Sequence, residues 1–227
     1  AQLPGVETPV LDGAENYIKT LDHGGYFEVT ALSREDLQKT ELYHQNAQRA
    51  AAQAAFSDYG EYLDSLKMEA ELYGFEPLYI QRIAQLTNKS NQFNLTTLRC
   101  SEDDIRAMAQ DPDCLCLCGK LTDAFGDNGI VTVVAGRAEG QALHLRLWLM
   151  SCRVLKRGME DAMMNTVVAE AAARGLREVY GYYYPTAKNG MVRDFYAGFG
   201  FTKVREDENG DTCLLYTSPS PRDRSLS

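Results

Sequence analysis

The sequence predicts an α/β fold, a mixed central sheet with helices on both faces. Three observations carry this. From about residue 69 onward, apolar runs of strand length alternate with runs of helical period. Three strand-like runs, "CLCLCGKLTD", "GIVTVVAGR" and "ALHLRLWLM", follow one another with only turn residues between them, as in an antiparallel meander. The later strand-like runs are separated by helical segments, as in crossovers that return to one sheet.

Taken in order, the chain opens with helical text. "DGAENYIKTL" has apolar residues at helical spacing. "SREDLQKTELYHQNAQRAAAQAAF" begins with Ser33 as a cap and Asp36 three places on. "DYGEYLDSLK" reads as one more short helix, and nothing before 67 supplies strands for a self-sufficient domain. "EAELYGF" is then a strand, and Pro77 opens the helix "PLYIQRIAQLTNK". "NQFNLTT" is a polar loop. "SEDDIRAMAQD" is a helix capped by Ser101, with acids in its first turn. Turns are expected at 126–129 and at Glu139-Gly140 within the meander. The helix "GMEDAMMNTVVAEAAARG" ends at Gly175. "EVYGYYY", the helix "AKNGMVRDFYAGFG" and the strand "FTKVRE" complete the series, with room for one more strand. From 214 on, "LLYTSPSPRDRSLS" turns to Ser, Pro and Arg and is read as a disordered, non-native tail, with a native disordered tail as the alternative. The chain starts at Ala1 without a Met, so further sequence is expected upstream.

Charge is uneven. Residues 1–75 hold 5 Lys+Arg against 13 Asp+Glu, and 76–227 hold 18 against 19, within an overall formal charge of −9. Nucleic-acid binding needs a basic surface and is excluded as a general function. No apolar run approaches the ~18 residues of a membrane span. The six Cys lack zinc-knuckle or disulfide-framework spacing, and "CLCLC" places three thiols on one strand face. They are read as small buried hydrophobes of a reducing cytoplasm.

"SCRVLKRGMED" (151–161) stands apart. Arg153, Lys156 and Arg157 surround Gly158 between a buried strand and a long helix. A helix N-terminus offers free N–H groups and partial positive charge. A glycine lets a ligand approach, and neighbouring cations add attraction. Together they form a phosphate site, with the backbone of 152–158, Val154 included, as its cradle. The alternative is a solvated basic connector.

The spacing Arg-x-x-x-x-Gly (153–158), the strand order and "FYAGFGF" (195–201) resemble the GNAT acyltransferase superfamily over roughly 69–212. Lys156 stands where that superfamily has a glycine. Longer strings, "RIAQLTNKSNQFNLTT", "LTDAFGDNGIV", "SCRVLKRGMEDAM" and "YYPTAKNGMVRDFYAGFGF", resemble the GNAT-like half of FkbH-like proteins, and 15–49 resembles the segment before it. Those proteins join a HAD-type phosphatase-like domain to a GNAT-like domain. They are linked to loading a glyceryl unit onto an acyl carrier protein in polyketide-type biosynthesis. The resemblance implies three parts: 1–66 as the helical remnant of the HAD-like domain, 67–213 as the GNAT-like domain, and 214–227 as tail. It implies carrier-bound phosphopantetheine or coenzyme A as cofactor. Its implied partners are an acyl carrier protein, a small acyl substrate and the missing HAD-like domain. The Asp-x-Asp-x-Thr phosphatase motif is absent, because "DPD" (111–113) lacks the Thr, so neither phosphatase activity nor its Mg²⁺ site is expected. Leu98 and Cys100 depart from the Arg and Tyr of the family pattern.

By the same resemblance Tyr196 takes the place of the acid that protonates a departing thiolate. Its alternative is a core aromatic beside Phe195 and Phe199. Cys152 lies beside the expected thioester, and Arg153 and the helix end favour its thiolate for an acyl relay; its alternative is a buried strand thiol. Asn91, Asn94 and Thr96 belong to the loop bordering the acceptor site and are candidates for the acyl substrate; their alternative is to satisfy backbone groups of the loop. His144, alternating with Arg146 among leucines, reads first as a surface-strand histidine, with substrate binding or a general-base role as the functional alternative. Asn189 is expected to reach the pantetheine arm or to cap a helix. The functional readings are acyl transfer to or from a pantetheine thiol, docking of a carrier arm without catalysis, and coenzyme A-dependent N-acetylation.

Overall fold

The computed structural model describes residues 13–24 and 34–217, with side chains from 41 onward in the longer stretch. The Ser33 cap and the side chain of Asp36 lie outside the described residues. The chain divides into two compact units between Gln48 and Arg49. A 3₁₀ turn at Ala14–Asn16 leads into α1 (Tyr17–His23), and α2 runs Arg34–Gln53.

The second unit starts earlier than the expected boundary at 66. Asp58 caps α3 (Tyr59–Ser65) by accepting from the Glu61 amide at 2.9 Å. Tyr62 and Leu66 are buried, and the Leu66 carbonyl accepts from the Ala124 amide at 2.8 Å. This stretch therefore packs with the sheet unit. The strands are β1 (Glu69–Tyr73), β2 (Cys114–Asp123), β3 (Gly126–Glu139), β4 (Ala142–Met150), β5 (Glu178–Tyr183), β6 (Thr202–Glu206) and β7 (Thr212–Thr217). They form one sheet in the order β1-β2-β3-β4-β5-β7-β6, antiparallel throughout except for the parallel pair β4–β5. The mixed sheet of the sequence reading is thus present, with its extra strand. β7 uses residues 214–217, which the sequence assigned to the tail: Leu214 is buried, and apolar packing outweighs the polar text after it. The first hairpin turn is at 124–125 rather than 126–129, because Asp123 pairs with Gly126.

Helices α4 (Ile80–Lys89) and α5 (Glu102–Gln110) cover one face, meeting Val133, Leu147 and Leu149. The first turn expected at Pro77 is a separate turn, closed by the Tyr79 amide on the Glu76 carbonyl. Ser101 and Asp104 form a full capping box on α5. Helices α6 (Met159–Ala173) and α7 (Phe195–Gly198) cover the other face, meeting Val134, Leu143, Leu145, Trp148 and Met150. Gly175, left-handed at φ 75°, ends α6 as its sequence position suggests. The single helix expected over 187–200 is instead a 3₁₀ turn at Gly190–Val192 and the four-residue α7.

One irregularity organises the sheet. Across β3–β4, Ala135 pairs with Leu147 but Gly136 pairs with Leu145, so Arg146 is an extra residue in β4. The bulge shifts the side-chain alternation: Leu143 and Leu145, then Trp148 and Met150, all reach the α6/α7 core. The β4–β5 ladder ends at the same level, with Leu145 opposite Gly181. Beyond it the two strands diverge. Among the described residues, no helix is long and apolar enough to cross a membrane.

Candidate functional site

The basic stretch is the turn between β4 and α6 at the mouth of this divergence. A 3₁₀ turn, Cys152–Val154, is followed by Lys156 at φ 60° and Gly158 at φ 80°, the latter capping α6 without a side-chain bond. Two left-handed residues fold the loop tightly over the helix end. Lys156 is exposed and does not wall off the corner, and the space where a Gly158 Cβ would lie is open.

The candidate residues of this loop separate once folded. Cys152 is exposed, not the buried thiol of the sequence alternative. Val154 is fully buried and its amide is committed to the Ser151 carbonyl at 3.2 Å. The Lys156 amide is taken by Glu160 Oε1 at 2.8 Å, and the Lys156 carbonyl accepts from Tyr59 Oη at 3.1 Å. Arg153 Nε donates to Ser151 Oγ at 3.3 Å. Arg157, expected at the phosphate, turns inward and donates to Asp123 Oδ2 at 3.2 Å. Asp123 is also gripped by Arg49 through two bonds of 2.7 and 2.8 Å, with both side chains buried. Burial raises the Asp123 carboxyl pKa. The bonds from Arg49, the Phe125 amide and Asn128 outweigh that and hold it below the usual carboxylate range. Sequence reasoning missed this cluster, whose members are far apart in the chain.

The gap between β4 and β5 is not an open slot. The chain's own segment 93–96 lies in it. Leu95 donates its amide to the Trp148 carbonyl and accepts from the Tyr184 amide, at 3.0 and 2.8 Å, bridging the two strands. The Met150 amide donates to the Phe93 carbonyl at 3.0 Å, and Thr96 Oγ1 donates to the Arg146 carbonyl at 2.7 Å. A pantetheine arm laid between these strands would meet a gap already bonded. Asn94, Thr96 and Asn189 are consequently buried structural groups here, not exposed contacts. The Asn189 amide donates to the Asn94 and Tyr184 carbonyls, both at 2.9 Å, and accepts from the Thr186 amide at 2.7 Å. Asn91 accepts from the Arg99 guanidinium.

Tyr196 reaches the apex of the divergence from the α6/α7 face. Its ring lies against Gly181, where a Cβ would sit 2.6 Å from it. The phenol is 1% exposed, and burial pushes its pKa far up. Its hydroxyl approaches the Tyr182 backbone without reaching bonding geometry, so it stands unpartnered, as does the buried Trp148 Nε1. Buried orphan donors cost roughly 1–3 kcal/mol each, and are explained by strain, by a bound water or by a group that occupies the site in another state. On the opposite face His144 is half-buried, with Nδ1 2.6 Å from Tyr182 Oη. Among the described residues, no three His, Cys, Asp or Glu side chains converge as a metal site.

No family model matches the chain, and no curated protein matches it. Solved structures do. The acetyltransferase of GNAT family from Streptococcus pneumoniae is 15% identical, with a TM-score of 0.53 over 66% of this chain and 100% of that one. The GNAT domain of S. lividans PAT is 17% identical, with a TM-score of 0.52 over 66% and 90%. Rv2747 from Mycobacterium tuberculosis, solved with CoA and NLQ, is 13% identical, with a TM-score of 0.52 over 66% and 99%. The FkbH-like resemblance rests on the sequence strings alone. The sheet unit of this chain has the GNAT acetyltransferase fold.

Proposed function

We propose that this domain acts on acyl thioesters. It binds the phosphate of a pantetheine-bearing donor, coenzyme A or a carrier arm, at Cys152–Gly158, and passes the acyl group on with Tyr196 as proton donor to the departing thiolate. The observation that carries this is the pairing of two features at one strand divergence. An open, cationic, doubly left-handed loop stands at its mouth, and a buried unpartnered phenol stands at its apex. The neighbour solved with CoA shows that the fold accommodates that class of ligand in that protein. The FkbH-like strings favour an acyl carrier protein as partner and a glyceryl-type acyl group, in a cytoplasmic protein whose HAD-like half precedes this chain. Coenzyme A-dependent N-acetylation is the nearest variant of the same chemistry.

A second reading is favoured by the filled gap. If Leu95 and Thr96 stay bonded, the arm docks on the loop and the chemistry belongs elsewhere. Under the first reading they yield the gap when the donor binds. Titration of the full chain with coenzyme A and with 4′-phosphopantetheine, followed by amide NMR, separates these outcomes. Shifts in 152–158 with faster exchange at the Leu95 and Tyr184 amides are expected for transfer; shifts in the loop alone mean docking. Loop amides that move with neither ligand would sink both readings.

A further inference from the structure

On the part of the sheet that α4 and α5 leave uncovered, three strands bring proton-bearing groups into one chain. His144 of β4 places Nδ1 2.6 Å from Tyr182 Oη of β5 and Nε2 4.0 Å from Glu139 Oε2 of β3. The imidazole stacks on Tyr180, 4.8 Å away and 4° from parallel. The Arg146 guanidinium lies 4.9 Å over the Tyr182 ring and 3.8 Å from Glu139 Oε1. Resting on the thioester reading above, we propose that Tyr182, His144 and Glu139 form a relay that removes the proton of the acyl acceptor, a thiol or hydroxyl approaching from the open face.

The chemistry follows from the tautomer. If Tyr182 donates to Nδ1, the neutral ring carries its proton on Nε2, facing Glu139. Burial, and then Arg146, lower the His144 pKa against the opposing pull of Glu139 and Glu178, so the ring is neutral and able to accept at pH 7. The other groups facing this cluster are Tyr180 of β5, Tyr184 just past the end of that strand, and Cys213 of β7. Burial pushes the Tyr182 phenol up to about 12, so Tyr182 is a poor base unless its own proton leaves as it takes another. In the step, the acceptor's S–H or O–H proton passes to Tyr182 Oη while the Tyr182 proton passes to His144 Nδ1. The acceptor atom bonds to the acyl carbon, the donor C–S bond breaks, and the Tyr196 proton goes to the leaving sulfur. The imidazolium then releases its proton to solvent, and the Tyr196 phenolate takes one from solvent as the product leaves, so every atom and proton is accounted for. The position suits the role. Tyr182 follows Gly181, the last ladder pair, and Gly181 is the residue that Tyr196 touches from the other face.

Acyl transfer from acetyl-coenzyme A to N-acetylcysteamine across pH 5–9 tests this on the full chain. His144→Gln and Tyr182→Phe should each slow transfer about 100-fold at pH 7.5, and the double variant should be no slower than either. The acid limb of the wild-type profile should vanish in His144→Gln, while calorimetric coenzyme A binding is kept. Nitrogen-15 NMR should find the neutral His144 protonated on Nε2. An active wild type whose His144→Gln variant keeps both rate and acid limb overturns the relay alone, as does an Nδ1 proton. A wild type that binds coenzyme A but transfers nothing overturns the relay together with the transferase reading, leaving docking.

Discussion

Lys156 holds a backbone conformation that suits glycine. An L side chain at φ 60° costs about 1–2 kcal/mol, part of which glycine returns as unfolded-state entropy. Lys156→Gly should therefore stabilise the sheet unit by about 1 kcal/mol in urea unfolding. It should also weaken phosphate binding if the ammonium contributes a point charge. Gly158→Ala should do the opposite for stability, losing about 1 kcal/mol by strain alone, since no atom crowds the added Cβ. Gly181 differs in kind. Its backbone is ordinary, but an added Cβ would strike the Tyr196 ring inside a packed core. Gly181→Ala should cost about 1–3 kcal/mol by overpacking and displace the phenol from the apex. Near-ultraviolet circular dichroism with urea midpoints checks it, and an unchanged midpoint would show the ring to be loosely held.

At the scale of elements, the sheet closes over its own divergence through segment 93–96, and Asn189 is the clasp. Its side-chain amide satisfies two carbonyls and one amide from three places in the chain. Asn189→Ala leaves these groups unpaired in a buried site, at about 2–4 kcal/mol after partial hydration. Hydrogen exchange should quicken first at Leu95 and Tyr184, whose amides bridge the gap. Exchange quickening elsewhere, with those two amides still protected, would show that the clasp lies in other residues. The succession of elements along the chain was legible because apolar periods of two and near 3.6 are local properties. The cationic loop was legible because charge and glycine stand adjacent in the chain. The gap filler was not. "NQFNLTT" has no period, and its bonding partners on the sheet lie fifty or more residues away, around the Arg146 bulge and the strand divergence. Asn94, Thr96 and Asn189 thus read as ligand contacts or local loop and cap residues, although they are buried in the filled gap. Tyr196 could be placed in the α7 region, but its contact with Gly181 is a tertiary fact.

Across the whole sheet unit, one carboxylate ties distant parts together. Asp123 at the end of β2 receives Arg49 from the last turns of α2, Asn128 from β3 and Arg157 from the β4–α6 loop. It fixes the inner side of the loop proposed to meet the donor phosphate. Two guanidinium groups share this one buried acid, so its removal strands cations away from water. Asp123→Asn should cost about 3–5 kcal/mol, the range for breaking a buried ion pair from one side. The pH dependence has a definite sign. The folded carboxyl titrates below its unfolded value of about 3.9, so the unfolded chain binds the proton more readily. The stabilisation is therefore complete above that value and is lost as pH falls through it toward the folded pKa. Urea midpoints taken from pH 7 down to 3 should drop steeply at the acid end in the wild type. In Asp123→Asn they should start lower and drop less steeply over that window. Parallel slopes for the two proteins would mean that the carboxylate is not the group whose protonation loosens the unit, and that the loop is anchored by contacts other than charge.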